Sequence, residues 1–292
     1  MDEQRIGEKI KDLRNYYGLS QKELSDGICT QAYISQVESG NKNVASHILY
    51  QLAERLGVDV DYILFASNNE RFDYIMEVER QARVLVETKD FQSLMSLVKA
   101  EENSPLMEIT HFQQFLLWHK AIAIRYLENN LDQALSVLQD ALKLAKTTNK
   151  TASEREVHIL SNIGNIYVEK EDYLSAINYY EIALKNLRLI PLYETKLETG
   201  LLYNLGRAHL MDHQIEESLS YCDEAIRLCK RHFTFHGLGE SYFIQGHCYK
   251  TLDDLEAART CFMNARSLFS VIDHENFVEK VDNQLNKLQD CE

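Results

Sequence analysis

Three stretches of this 292-residue chain can be laid over one another on a glycine, and that repetition limits the possible folds more than any other feature. NIGNIYVEKEDYLSAINYYEIAL, NLGRAHLMDHQIEESLSYCDEAI and IQGHCYKTLDDLEAARTCFMNAR align on Gly164, Gly206 and Gly246, at intervals of 42 and 40 residues. An aromatic residue or histidine follows three positions later (Tyr167, His209, Tyr249), and a small residue nine further on (Ala176, Ser218, Ala258). Four positions on stand Tyr180, Cys222 and Phe262, and three beyond them Ala183, Ala225 and Ala265. A period of this length describes a unit that cannot bury its apolar face alone and must stack on its neighbours.

The five-position register resembles the tetratricopeptide repeat, in which glycine, aromatic and small residues let two antiparallel helices approach closely. A looser copy runs through WHKAIAIRYLENNLDQALSVLQDAL, one residue shorter between Tyr126 and Ala134, and a degenerate one through QARVLVETKDFQSLMSLV. Five repeats are expected over residues 72–292. The interval exceeds the tetratricopeptide length of about 34 residues, so helices or connections must be longer than in the minimal unit. With 11 Gly and 2 Pro, the prolines (Pro105 and Pro191) falling between helical patterns, the fold class is all-α.

Residues 1–66 read as a separate domain of five short helices. Ile6, Ile10, Leu13 and Tyr17 recur at helical spacing up to Gly18. Ser20 and Glu23 form a capping box for a second helix with Leu24 and Ile28 inward. Thr30 caps a third helix, with Ile34 and Val37 inward and Gly40 at its end. A fourth follows in Ile48, Leu49, Leu52 and Leu56 up to Gly57, and a fifth in Val60, Ile63 and Leu64. NNERFDYIMEVERQARVLVE then reads as a linker helix over 67–88, running into the first degenerate repeat.

The third helix leaves Gln31, Ala32, Tyr33, Ser35 and Gln36 on or near its outer face, small or polar and without charge. Such side chains can read the donors, acceptors and thymine methyl of the B-DNA major groove. Ser20, Gln21 and Thr30 would present amides to phosphates, and Asn41, Lys42 and Asn43 would add backbone contacts. The net charge of −14 argues against nucleic acid for the chain as a whole. Residues 1–45, however, hold six basic side chains against seven acidic ones, so binding there would lean on hydrogen bonds and dimerisation.

LRNYYGLSQKELSDGICTQAYISQVESG resembles the Xre-type helix-turn-helix of phage and bacterial repressors. That resemblance implies a structural pair between Arg14 and Glu38, which removes Glu38 from the DNA contacts. With the repeats and FQQFLLWHKA at 112–121, nearly the whole chain resembles the PlcR-like family of peptide-pheromone-responsive regulators of Gram-positive bacteria. The family resemblance implies a homodimer that binds an operator and, on the concave face of its repeats, a short re-imported signalling peptide.

In stacked helix pairs the first helix of each repeat lines the concave side. Positions two before and one after the repeat glycine would face outward there: Asn162 and Asn165, Asn204 and Arg207, Ile244 and His247. Asparagines donate and accept at once, so a ladder of them can hold an extended peptide backbone. The family resemblance singles out Lys89, Asn165 and Asn204, with Lys89, Arg207 and Lys250 as candidate charges for a carboxylate. Tyr203, Tyr242 and Phe243 are candidate apolar pockets. Two other readings remain open: a repeat scaffold for a protein partner, and a repressor controlled by a protein antirepressor.

No cofactor is expected. The cysteines at 29, 222, 229, 248, 261 and 291 form no CxxC pair, and His209, His213, His232 and His236 offer no consistent ligand set, so no metal is expected. No nucleophile elbow, phosphate loop or paired-carboxylate signature points to an enzyme. The charged N-terminus lacks an apolar core and no run of about 18 apolar residues occurs, which places the chain in the cytoplasm without membrane contact.

Overall fold

The computed structural model describes residues 3–60, 62–64, 72–144, 153–191 and 193–289, and every regular element among them is helical. The described residues form two compact units, Met1–Thr88 and Lys89–Glu292. The first holds α1 (Glu3–Tyr16), α2 (Gln21–Ser25), α3 (Gln31–Glu38), α4 (Ser46–Leu56) and α5 (Phe72–Glu87), with Val60 and residues 62–64 also helical. The sequence places its core correctly: Ile6, Ile10, Leu13, Leu24, Ile34, Val37, Leu52, Leu56 and Ile63 are all buried in one cluster. Tyr17 is a correction. It is 49% exposed, because α1 stops at Tyr16 and the chain turns through a left-handed Gly18 that carries the ring away from the core. Residues 67–71 of the expected linker, Asp61 of the expected fifth helix and Cys291 lie outside the described residues.

The second unit begins with α6 (Phe91–Glu101) and a 3₁₀ turn at Pro105–Glu108. Helix pairs follow: α7 (Thr110–Leu127) with α8 (Leu131–Lys143), α9 (Glu154–Glu169) with α10 (Tyr173–Leu187), α11 (Thr195–Met211) with α12 (Ile215–His232), and α13 (Leu238–Thr251) with α14 (Leu255–Val271). The last described helix, α15 (Glu275–Gln289), packs on α14. The degenerate first repeat is divided between the units, its first helix α5 lying in one and its second, α6, in the other.

The repeat register is a packing rule. A Cβ on Gly164 would lie 2.5 Å from the Tyr180 ring, one on Gly206 2.5 Å from Cys222 Sγ, and one on Gly246 2.5 Å from the Phe262 ring. Only a hydrogen at these positions lets the paired helices close. The small residues Ala176, Ser218, Ala258, Ala183, Ala225 and Ala265 are buried in the same interfaces. Tyr167 stacks on Tyr179 and His209 on Tyr221, twelve residues on in each case. The turn inside each repeat is also uniform: Lys89, Asn129, Glu171, His213 and Asp253 take positive φ. The residue after each turn is an N-cap, and in Asp90, Asn130, Asp172 and Asp254 its side chain accepts from the helix amides. The long period comes from helices of 13 to 18 residues in α7–α14.

First helices of successive repeats touch directly, α7 to α9, α9 to α11 and α11 to α13, more closely than the second helices do. A stack tighter on one side curves toward that side, so α7, α9, α11 and α13 line the inner face of this unit.

Candidate functional site

In the first unit, α3 is held by side chains from three segments. Arg14 Nε donates to Glu38 Oε1 at 2.6 Å and its second amino group to Oε2 at 2.9 Å, while Nη1 reaches the Leu19 carbonyl at 2.8 Å. The hydrogen bond to Glu38 raises the Arg14 pKa, so the guanidinium stays charged. Glu38 has only 3% of its side chain exposed and takes a third donor from Gln21 Nε2 at 2.9 Å. A Cβ at Gly7 would lie 1.9 Å from the Val37 carbonyl oxygen, so α1 presses directly on the end of α3. The pair of Arg14 and Glu38 expected from the family resemblance is present, and the Gln21 side chain joins it.

Gln31, Ala32, Ser35 and Gln36 are exposed on α3, while Ile34 and Val37 are buried beneath them. Ser20 caps α2 reciprocally with Glu23, which engages the Ser20 amide and removes it from the expected phosphate donors. Thr30 caps α3 by accepting from the Tyr33 amide at 3.2 Å. Tyr33, expected on or near the outer face of α3, is half-buried there. Its ring packs on the core, its hydroxyl donates to the Asn43 carbonyl at 3.2 Å and accepts from the Ala45 amide at 3.0 Å, and Lys42 Nζ lies 4.8 Å from its centroid. Asn41 donates to Ser39 Oγ at 2.8 Å, and Asn41, Lys42 and Asn43 are exposed.

On the inner face of the second unit α9 carries Asn165 and α11 carries Tyr203, Asn204 and Arg207, and the buried Tyr180 of α10 lies close to Asn165, Tyr203 and Arg207. Tyr180 donates its hydroxyl to Asn165 Oδ1 at 2.7 Å. Burial holds the Tyr180 phenol far above its ordinary pKa, opposed by the nearby Arg207 and Arg125 charges. Arg207 Nε is buried with no acceptor among the described residues. Asn204, three residues earlier on α11, is 7% exposed. Asn162 donates to the His158 carbonyl at 2.8 Å, which leaves its own oxygen open.

Other predicted residues sit elsewhere. Ile244 is 5% exposed and packs with Cys222 and Cys248, so it is core, because that turn of α13 faces α12. Tyr242 and Phe243 are half-buried against the α13–α14 core, and His247 meets the edges of Phe243 and Phe262. Burial lowers the His247 pKa. Lys89 occupies the left-handed turn after α5, and Lys250 the last turn of α13. A mixed-charge cleft of about 640 Å³ lined by Arg188, Tyr193, Glu198, Glu224, Arg227 and Arg231 lies away from all of them.

Sequence reasoning missed Trp118, His158 and Arg125. Trp118 stacks on His158 with centroids 5.1 Å apart, and its indole N–H is buried without an acceptor among the described residues. Burial lowers the His158 pKa. Arg125 pairs with Glu169 across α7 and α9. The repeat interval could have found Arg125, which stands 40 residues before Asn165, as Arg207 stands 42 after it.

Residues 80–285 match the family model of the RNPP family C-terminal domain, and residues 10–63 a helix-turn-helix model. The chain is 21% identical over 274 residues to the transcriptional activator NprA of Geobacillus stearothermophilus, covering 91% of this chain and 63% of that protein's length. Among solved structures it is similar to Bacillus thuringiensis PlcR in complex with the peptide PapR7 and DNA. That likeness has a TM-score of 0.81 and 24% identity, and covers 95% of this chain and 99% of PlcR. It is also similar to the SHP pheromone receptor Rgg2 of Streptococcus dysgalactiae, with a TM-score of 0.64 and 14% identity over 97% of this chain and 99% of Rgg2. These likenesses establish the fold.

Proposed function

This chain belongs to the RNPP family, and on that premise we propose that it is a DNA-binding transcription regulator governed by a short signalling peptide. α3 would enter the major groove with Gln31, Ala32, Ser35 and Gln36 toward the bases, while Lys42 and its exposed neighbours meet phosphates. The peptide would lie across α7, α9 and α11, its backbone on Asn162, Asn165 and Asn204 and its carboxylate at Arg207. Operation as a homodimer on an operator in the cytoplasm, without catalytic chemistry, belongs to the same reading. Among the described residues no helix is long and apolar enough to cross a membrane.

The observation that carries the peptide half is the surplus of buried donors. Trp118 Nε1 and Arg207 Nε have no acceptor among the described residues, and a buried unmatched donor costs about 1–3 kcal/mol. A ligand rich in carbonyl and carboxylate oxygen would supply both acceptors once the side chains that cover these donors turn aside.

Trp118 is the chain's single tryptophan, so its emission reports that face directly. Purified protein titrated with peptides from the C-termini of short secreted reading frames beside its gene should show a saturable change in Trp118 fluorescence. Asn204→Ala should weaken it about twofold to tenfold, and Arg207→Met by more, with the Arg207 effect lost on C-terminally amidated peptides. Tight binding to DNA with no response to any of these peptides would overturn the sensing half.

A further inference from the structure

We infer that Tyr33 is a positioning residue: it fixes the loop after α3 and aims Lys42 at the duplex backbone, and it reads no base. The inference rests on the proposed DNA-binding reading of α3 and deepens it. Tyr33 stands third among the exposed or half-exposed positions of α3 that a sequence reading assigns to base recognition, yet its polar atom is already engaged. The hydroxyl donates to the Asn43 carbonyl at 3.2 Å and accepts from the Ala45 amide at 3.0 Å, so it bridges both ends of the short segment that leads into α4. The half-buried ring packs against the core cluster of this unit, so swinging it outward would give up that packing.

Besides Tyr33, the loop is held by Val44, which packs on the same core cluster, and by Asn41. Asn41 is tied back to α3 through its amide on the Gln36 carbonyl and its side chain on Ser39, whereas Lys42, Asn43 and Ala45 are exposed. Lys42 Nζ sits 4.8 Å above the Tyr33 ring, close enough for the electron-rich face to hold the ammonium group in place. An ammonium held at the edge of a recognition helix meets phosphates, which are the same for every sequence. Tyr33 therefore contributes equally to preferred and unrelated duplexes, whereas Gln36 contributes to the preferred one.

The test uses the full chain, a duplex enriched by the wild-type protein from a random-sequence pool, and a duplex of unrelated sequence. Tyr33→Phe keeps the ring and removes both hydroxyl bonds, so binding should weaken about twofold to tenfold on both duplexes by the same factor. Hydrogen exchange of the Ala45 amide should accelerate in the free protein. Tyr33→Ala also removes the seat of Lys42. The slope of log affinity against log salt should then become shallower by about 0.9 for each Lys42, about 1.8 for the homodimer, and adding Lys42→Gln should change it no further. Gln36→Ala should lower affinity for the enriched duplex alone. A Tyr33→Phe loss confined to the enriched duplex, or an Ala45 amide that exchanges as in the wild type, overturns the inference while leaving DNA binding standing. A wild-type protein that enriches no duplex overturns the DNA-binding reading and this inference together.

Discussion

Replacing Gly164 by alanine tests the packing rule of the repeats, because the same substitution at Gly200 should have the opposite sign. At Gly164 the new Cβ would lie 2.5–2.8 Å from three atoms of the Tyr180 ring, against an ordinary contact of about 3.5–4.0 Å. The ring is fully buried, so it must move by about 1 Å inside a packed interface, which costs about 1–3 kcal/mol. That shift also pulls the Tyr180 hydroxyl from Asn165, for about 0.5–1.5 kcal/mol more. Helix propensity returns about 1 kcal/mol, leaving a net loss of about 0.5–3.5 kcal/mol. At Gly200, on α11, the nearest group to a new Cβ is His236 Nε2 at 3.7 Å, so the propensity gain stands alone and alanine should stabilise by up to about 1 kcal/mol. Thermal unfolding followed by Trp118 emission and far-ultraviolet circular dichroism measures both, at about 2–4 °C per kcal/mol for a unit of this size. Gly164→Ala should also weaken peptide binding, since it displaces Asn165. Shifts of the same sign and size at the two positions would refute the claim that close approach is what the repeat glycine provides.

Removing Arg14 while keeping Glu38, as in Arg14→Met, strands a carboxylate that is 3% exposed and should destabilise the first unit by about 3–5 kcal/mol. The double replacement Arg14→Met with Glu38→Leu should recover most of that loss, and limited proteolysis within residues 3–60 checks both. Acid should weaken the repeat unit through two half-buried histidines. Burial puts His158 and His247 below their ordinary pKa of 6.5, so the unfolded chain binds more protons as pH falls below that value. Stability should therefore be intact above about pH 6.5 and fall as pH drops toward the folded values. Urea midpoints at pH 7.5 and 5.5, read by Trp118, should differ, and His158→Gln should reduce the difference.

The architecture was legible in the sequence because its signals are local. Glycine, small and aromatic residues recurring at 40 to 42 positions give the repeat, and Ser20 with Glu23 and Thr30 with the Tyr33 amide give the two helix starts. The uncharged outer positions of α3 followed from the 3.6-residue period alone. The fate of individual polar groups did not follow. Tyr33 shares the outer positions of α3 with Gln31 and Gln36 and Gln21 opens α2, yet the Gln21 side chain is bound to Glu38 and Tyr33 to the loop at 43–45. Asn162 and Asn165 already hold partners, while Arg207 and Trp118 are left with buried donors unmatched. Periodicity states which side of a helix faces inward. Which atom of another segment waits there depends on how the helices cross and at what height along their axes they meet. That is fixed by side-chain volumes gathered from distant parts of the chain, and so only the folded structure decided it.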